Sequence, residues 1–102
     1  MRIYNKLVRD NIPEIIEKNG KTAHTSVLCN EDYISALKEK LIEEANEFIE
    51  SEELIELADI LEVVDALAKV KSSSLDEILE LKRQKADKNG AFDKKIFLEF
   101  VD

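Results

Sequence analysis

The feature that most restricts the fold is a stretch from Lys40 to Lys71 that contains neither glycine nor proline. Apolar residues recur in this stretch at intervals of three and four, which places them along one side of an α-helix. The whole chain has 102 residues, of which 44% are hydrophobic, and this is enough for one domain with a modest core. We therefore predict a single, mainly α-helical domain that spans residues 1–102.

Capping residues and helix breakers predict a helical bundle of three long helices plus a short N-terminal helix, with two short β-strands. The short helix begins at Asp10 or Asn11 and stops at Gly20. The long helices are predicted from Asn30 or Asp32 to about residue 50, over about 53–71, and from a capping box of Ser74 and Glu77 to about 88. The β-branched segment 22–28 and the apolar segment 95–101 are the two predicted strands.

Composition argues against several classes of partner. The chain carries 15 basic and 23 acidic side chains, a net charge of -8, whereas a nucleic-acid polymer is bound through Lys and Arg that neutralise its phosphates. We expect no membrane partner either, because no apolar run approaches the ~20 residues that cross a bilayer. The single Cys29 cannot form an intrachain disulfide and suits a reducing compartment, so the predicted location is cytoplasmic.

Four acidic side chains form two pairs at three-residue spacing, Glu44 with Glu47 and Glu56 with Asp59. Residues three apart share one face of a helix, so each pair presents two carboxylates in one direction. Glu56 and Asp59 fall within the apolar face of their helix, where a carboxylate without a partner is costly or takes up a proton. Two facing pairs predict a site for a hard divalent cation, Mg²⁺ or Mn²⁺. The alternatives are acids that merely face solvent, and ion pairs with Arg or Lys from another segment.

The connection between the two acidic helices decides whether these pairs meet within one chain. In one unbroken helix, Glu47 and Glu56 would lie on opposite faces and ~13 Å apart along the axis. The acids would then meet only by pairing with another chain. A turn near Glu50 and Ser51, with Ser51 as the N-cap of the following helix, brings them together instead. We favour the turn.

Five residues are candidates for binding an anionic substrate. They are Lys6 and Arg9 near the N-terminus, and Lys82, Lys85 and Asn89 on the last long helix. Guanidinium and ammonium groups suit phosphate, and Arg binds it through two parallel hydrogen bonds. The alternatives are that the lysines extend along the rim of the bundle and that Arg9 pairs with an acid of a helix.

Three segments resemble a MazG-like group of nucleotide pyrophosphohydrolases, which belongs to the all-α nucleoside triphosphate pyrophosphatase superfamily with phosphoribosyl-ATP pyrophosphohydrolase. They are YNKLVRDNIPEIIEKNGK, KLIEEANEF followed by ELADILEVVDAL, and NGAFDKKIFL. The resemblance implies that Glu44, Glu47, Glu56 and Asp59 are ligands of Mg²⁺. It also implies that Glu43 orients water, with Glu43 or Glu47 as the catalytic base.

The reaction implied by the resemblance is cleavage of the α–β phosphoanhydride bond of a nucleoside triphosphate, which gives a nucleoside monophosphate and pyrophosphate. The implied assembly is a homodimer or homotetramer. Two features depart from the family pattern. Only eight residues separate Glu47 from Glu56, and Ala91 stands where a glycine is expected.

Two other classes of function stay open. The first is a catalytically weak nucleotide-binding or regulatory module, which would bind nucleotide without turnover. The second is an acidic helical oligomerisation module, whose thermal stability would not respond to Mg²⁺ or EDTA, because only a ligand that binds the native state raises its stability.

Overall fold

The computed structural model describes all residues from 1 to 102 and contains four α-helices and no β-strand. The helices are α1 (Ile12–Lys18), α2 (Asn30–Ser51), α3 (Leu54–Val70) and α4 (Leu75–Asn89). The prediction of a mainly α-helical chain with three long helices and a short N-terminal one is confirmed.

The helix starts agree in part with the predicted caps. Ser74 caps α4, because its Oγ accepts a hydrogen bond from the backbone N–H of Glu77 at 3.1 Å. The N-cap of α2 is Cys29, which makes no side-chain capping bond, so the prediction of Asn30 or Asp32 as cap is wrong. Asn11 precedes α1 as predicted but also makes no capping bond. Neither helix is stabilised by a side-chain cap, and α2 depends on its packing against α3.

A turn between α2 and α3 separates the two acidic helices. Glu52 adopts a left-handed conformation with φ 58°, and its N–H donates to the carbonyl oxygen of Phe48 at 2.8 Å. This is the geometry that ends many helices, with glutamate in the place that glycine usually takes. Ser51 is the last residue of α2, not the N-cap of α3, although its Oγ accepts from the Glu53 N–H at 3.2 Å. The predicted turn is therefore present, and Glu53 is the N-cap of α3.

The helices α2 and α3 form an antiparallel hairpin, since Tyr33 and Ile34 at the start of α2 lie beside Ala66 and Val70 at the end of α3. The helix α4 packs against α3 but not α2, and α1 packs against no other helix. Within the chain the buried apolar side chains are Leu37, Val63 and Ala68. The hairpin is thus the structural unit that positions the acids.

The two predicted β-strands are absent. Residues 22–28 and 95–101 have no strand structure, and their only backbone hydrogen bond is the local turn in which the Lys95 N–H donates to the Phe92 carbonyl oxygen at 3.2 Å. A β-strand needs a neighbour that completes its N–H and C=O ladder, and sequence pattern alone does not supply one. Val27 and Phe97 are 99% and 87% exposed, so neither of these side chains packs against the rest of the chain.

A single copy of the chain exposes an unusual amount of surface. The accessible area is 9447 Å², whereas a compact protein of this mass exposes roughly 5,900 Å². The radius of gyration is 17.9 Å, against about 13 Å for a compact domain of this length. None of the four helices combines the length and the apolar character that a membrane span requires.

Candidate metal centre

The hairpin brings acids of α2 and α3 face to face. One group consists of Glu43, Glu44 and Glu47, and a second consists of Glu44, Glu56 and Asp59. In each group the carboxylate oxygens lie within 4.8 Å of one another. Because Glu44 belongs to both, the five residues make one site, which we call the acid cluster. The structure thus assembles within one chain the acids that the spacing had paired.

Glu44 is the buried member of the acid cluster, with only 7% of its surface exposed. Its Oε1 lies 3.3 Å from the Lys40 Nζ, but its Oε2 is buried and has no hydrogen-bond partner. A buried acceptor without a partner loses the hydrogen bonds that water gave it. Burial accordingly raises the pKa of the Glu44 carboxyl, against the opposing effect of Lys40. A proton or a metal ion at Oε2 would neutralise the buried charge and give this oxygen a partner.

The acids of α3 lie beside Glu44, the buried member of the α2 group. Glu56 and Asp59 are half-buried, whereas Glu47 is exposed at the rim of the cluster. Desolvation raises the pKa of Glu56, and the neighbouring carboxylates of Glu47 and Asp59 raise it further. Like charges this close oppose one another's ionisation, and a bound cation reverses that effect.

Two cations from the N-terminal segment contact the acid cluster. Lys6 Nζ donates to Glu43 Oε1 at 2.9 Å, and this hydrogen bond lowers the pKa of Glu43. Arg9 donates from Nη2 to Asp59 Oδ1 at 2.7 Å and from Nη1 to Glu62 Oε1 at 3.3 Å. The alternative reading of Arg9, an ion pair with a helix acid, is the arrangement seen here. Both predicted phosphate-binding residues of this segment therefore lie at the acids.

Lys40 and Glu62 also take part, and the sequence reading missed them. Lys40 Nζ lies 3.1 Å from Glu43 Oε2 and 3.3 Å from Glu44 Oε1. The signal was available, since Lys40 precedes Glu44 by four residues on one helix and such pairs are neighbours. Glu62 shares Arg9 with Asp59. The contact between Arg9 and Glu62 depends on tertiary structure, because the two residues are 53 positions apart and the sequence pattern does not predict that they meet.

The three candidates on α4 are not at the acid cluster. Lys82, Lys85 and Asn89 are exposed, and none forms an ion pair or side-chain hydrogen bond with an acid of the cluster. Their helix packs on α3 alone. Within one chain, only Lys6, Arg9 and Lys40 supply positive charge to the acids.

The donor set fits a hard divalent cation. It consists of carboxylate oxygens only, the ligands that Mg²⁺ and Mn²⁺ prefer over thiolate or imidazole. Opposite ligands of Mg²⁺ are about 4.2 Å apart when each lies ~2.1 Å from the ion. Adjacent ligands of the same octahedron are only about 3.0 Å apart. Because at least two of the three pairs in each group would be adjacent, oxygens up to 4.8 Å apart must approach by up to about 2 Å, through rotation of the side chains. The unpartnered Oε2 of Glu44 supplies a ligand atom that nothing else in the chain satisfies.

Comparisons with protein-family models, with curated proteins and with solved structures find no match for this chain. The residues of the acid cluster and the cations around it are the basis on which function is inferred.

Proposed function

We propose that the chain is a metal-dependent nucleoside triphosphate pyrophosphohydrolase of the MazG-like type. The observation that carries the proposal is the buried, unpartnered Oε2 of Glu44 at the centre of five carboxylates. Glu44, Glu47, Glu56 and Asp59 would hold Mg²⁺, or Mn²⁺ in its place. The bound ion would polarise phosphate oxygens and lower the pKa of an attacking water.

In the proposed reaction the oxygen of a water molecule forms a bond to the α-phosphorus, while the bond from that phosphorus to the α–β bridging oxygen breaks. Pyrophosphate leaves, and the proton of the water passes to a carboxylate of the chain. Glu47 suits this role better than Glu43. Hydrogen bonds from Lys6 and from Lys40 lower the pKa of Glu43. Lys40 lies on α2 beside Glu43 and keeps its hydrogen bond when Lys6 contacts the phosphate chain, so Glu43 stays the weaker base. Glu47 is exposed at the rim, where water can reach it.

Lys6 and Arg9 are the proposed contacts for the phosphate chain, because both already lie at the acid cluster. Cationic side chains beside a metal stabilise the charge of a triphosphate and of the leaving pyrophosphate. Lys82, Lys85 and Asn89 remain proposed substrate contacts only if α4 of another copy brings them to the site. Base and sugar selectivity are not assigned.

The proposed partner besides the substrate is a second copy of the chain. The accessible area of 9447 Å² exceeds that of a compact monomer by roughly 3,500 Å². Obligate dimers bury about 2,000–5,000 Å² summed over both partners, or about 1,000–2,500 Å² per chain, so a large dimer interface covers much of the excess and the further interfaces of a homotetramer cover more. No nucleic-acid polymer or membrane is proposed as a partner. The proposed location is cytoplasmic, in keeping with the free thiol of Cys29.

The test is pyrophosphate release from a panel of canonical and modified nucleoside triphosphates, with Mg²⁺ or Mn²⁺ and with EDTA. We expect release that requires the metal and is lost in Glu56→Gln, because this substitution removes a proposed ligand. Glu31→Gln is the matched control, since Glu31 is an exposed acid of α2 outside the acid cluster and should keep full activity.

The same panel separates the other two functions. If no triphosphate is cleaved while metal still raises the melting temperature, the chain is a nucleotide-binding module. If metal changes neither activity nor stability, the acid cluster is not a metal site. The large exposed apolar surface would then favour the oligomerisation module.

A further inference from the structure

The first eleven residues reach the acid cluster through side chains alone. We call residues 1–11 the N-terminal arm. Its polar contacts with the hairpin are Lys6 with Glu43, and Arg9 with Asp59 and Glu62. No backbone hydrogen bond joins the arm to α2 or α3, and α1, which follows it, packs against no other helix. Ion pairs therefore contribute most of the polar attachment of the arm.

These ion pairs are of the kind that a competing ion can break. The side chains of Lys6 and Arg9 are 43% and 52% exposed, and ion pairs open to water are weak and sensitive to ions in solution. Lys40 differs, because its side chain is only 18% exposed and its place on α2 fixes it four residues from Glu44. The acid cluster thus has one resident cation and two that can leave.

One arm cation, Arg9, occupies an oxygen of a proposed metal ligand, and the other, Lys6, lies on the neighbouring acid Glu43. Arg9 holds Asp59 Oδ1 at 2.7 Å, and Asp59 belongs to the group that includes the unpartnered Glu44. A divalent ion on the same carboxylate would lie within a few ångström of the guanidinium, where two positive charges repel strongly. Arg9 and the metal therefore compete for Asp59, and Lys6 on the neighbouring Glu43 is repelled by the same added positive charge.

We propose that the N-terminal arm is a displaceable counter-ion of the acid cluster. Without metal, Lys6 and Arg9 neutralise Glu43 and Asp59. With Asp59 bound to a divalent ion, Arg9 would leave Asp59 and Lys6 would leave the neighbouring Glu43, and the freed guanidinium and ammonium groups would bind the phosphate chain of the substrate. The metal accordingly binds before the triphosphate, and metal loading prepares the substrate contacts. This inference rests on the proposed metal-dependent function of the acid cluster.

The test combines two measurements on the full chain. Calorimetric titration with Mg²⁺ gives the metal affinity of the wild type, of Arg9→Gln and of Arg83→Gln. The control Arg83→Gln removes the same charge from ion pairs with Glu80 and Asp87 on α4. NMR order parameters of the arm amides, with and without Mg²⁺, report whether the arm is released.

We expect Arg9→Gln to bind Mg²⁺ several-fold more tightly than the wild type, and Arg83→Gln to leave the affinity nearly unchanged. In the wild type, saturating Mg²⁺ should lower the order parameters of the arm, and the NMR result stands even if a variant fails to fold. Mg²⁺ binding that leaves the arm ordered, or weaker binding by Arg9→Gln, would overturn the inference while the metal site stands. In that case Arg9 supports the position of Asp59. Absence of Mg²⁺ binding by the wild type would instead overturn the proposed function, and the inference with it.

Discussion

At the scale of single residues, Glu44 belongs to both groups of the acid cluster. In this position its Oε2 is buried and has no hydrogen-bond partner, which is energetically unfavourable. Burial raises the pKa of its carboxyl, so the folded state binds a proton more tightly than the unfolded state does. The free energy of unfolding of the metal-free protein should therefore fall as the pH rises from the ordinary glutamate pKa through the raised value.

Glu44→Gln should stabilise the metal-free protein at neutral pH by about 1 kcal/mol, because the amide keeps the shape and removes the buried charge. Below the ordinary pKa of glutamate the wild-type carboxyl is protonated in both states, so the difference should vanish. Urea unfolding in EDTA at a series of pH values measures this effect. A difference that does not change with pH would show that the charge of Glu44 is not its cause.

In the presence of metal, the wild type should become more stable than Glu44→Gln. At a free concentration of 100 times its Kd, a ligand that binds only the native state stabilises it by about 2.7 kcal/mol. Mg²⁺ should therefore raise the melting temperature of the wild type and leave that of Glu44→Gln unchanged, because the amide is a poor ligand. Thermal unfolding with Mg²⁺ and with EDTA checks this, and an equal response of the two proteins would exclude Glu44 as a ligand.

The spacing of residues could predict the acids but not all of their cations. Glu44 with Glu47 and Glu56 with Asp59 follow from helical geometry once the turn is accepted. Lys6 pairs with Glu43 across 37 residues of sequence, a contact that only the folded chain defines. Lys6 and Arg9 could therefore be selected as cations that suit phosphate, while their pairing with the acids required the structure.

At the scale of secondary-structure elements, the turn after α2 makes the acid cluster possible. Periodicity predicted the three long helices, because helical spacing is a local property. The break between α2 and α3 was predicted near Glu50 and Ser51, whereas the left-handed residue is Glu52. No glycine marks this position in the sequence. The two strands were predicted wrongly because their residue types suit a sheet, whereas a strand also needs a neighbour that the sequence pattern does not reveal.

Glu52→Gly should stabilise the hairpin by about 0.5–1 kcal/mol, because glycine adopts the left-handed conformation without the cost that a side chain brings. The control Glu50→Gly lies inside α2 and should destabilise by a similar amount, since glycine is a poor helix former. Chemical denaturation of both variants measures the change in the free energy of unfolding, which should be positive for Glu52→Gly and negative for Glu50→Gly. Destabilisation by both would mean that the turn is not left-handed at Glu52.

At the scale of the whole molecule, one copy leaves most of its apolar side chains in contact with water. Ile42 and Ile49, one heptad apart on α2, are 64% and 71% exposed, and Phe97 in the C-terminal segment is more exposed still. Only three buried apolar residues form the core, which is too little to fold a chain of this length alone. The proposed second copy would cover these side chains.

Light scattering should therefore give a mass of at least twice 11.7 kDa at micromolar concentration, with a melting temperature that rises with protein concentration. Ile49→Glu should shift the protein towards monomer and lower its stability, because a charge would be buried without a partner. Thr22→Glu adds the same charge at an exposed residue between α1 and α2, outside every helix, and should leave the mass unchanged. The result that would contradict this is a wild-type monomer whose melting temperature does not change with protein concentration. Three buried apolar side chains would then be enough to fold the chain, and the exposed apolar surface would bind some other partner.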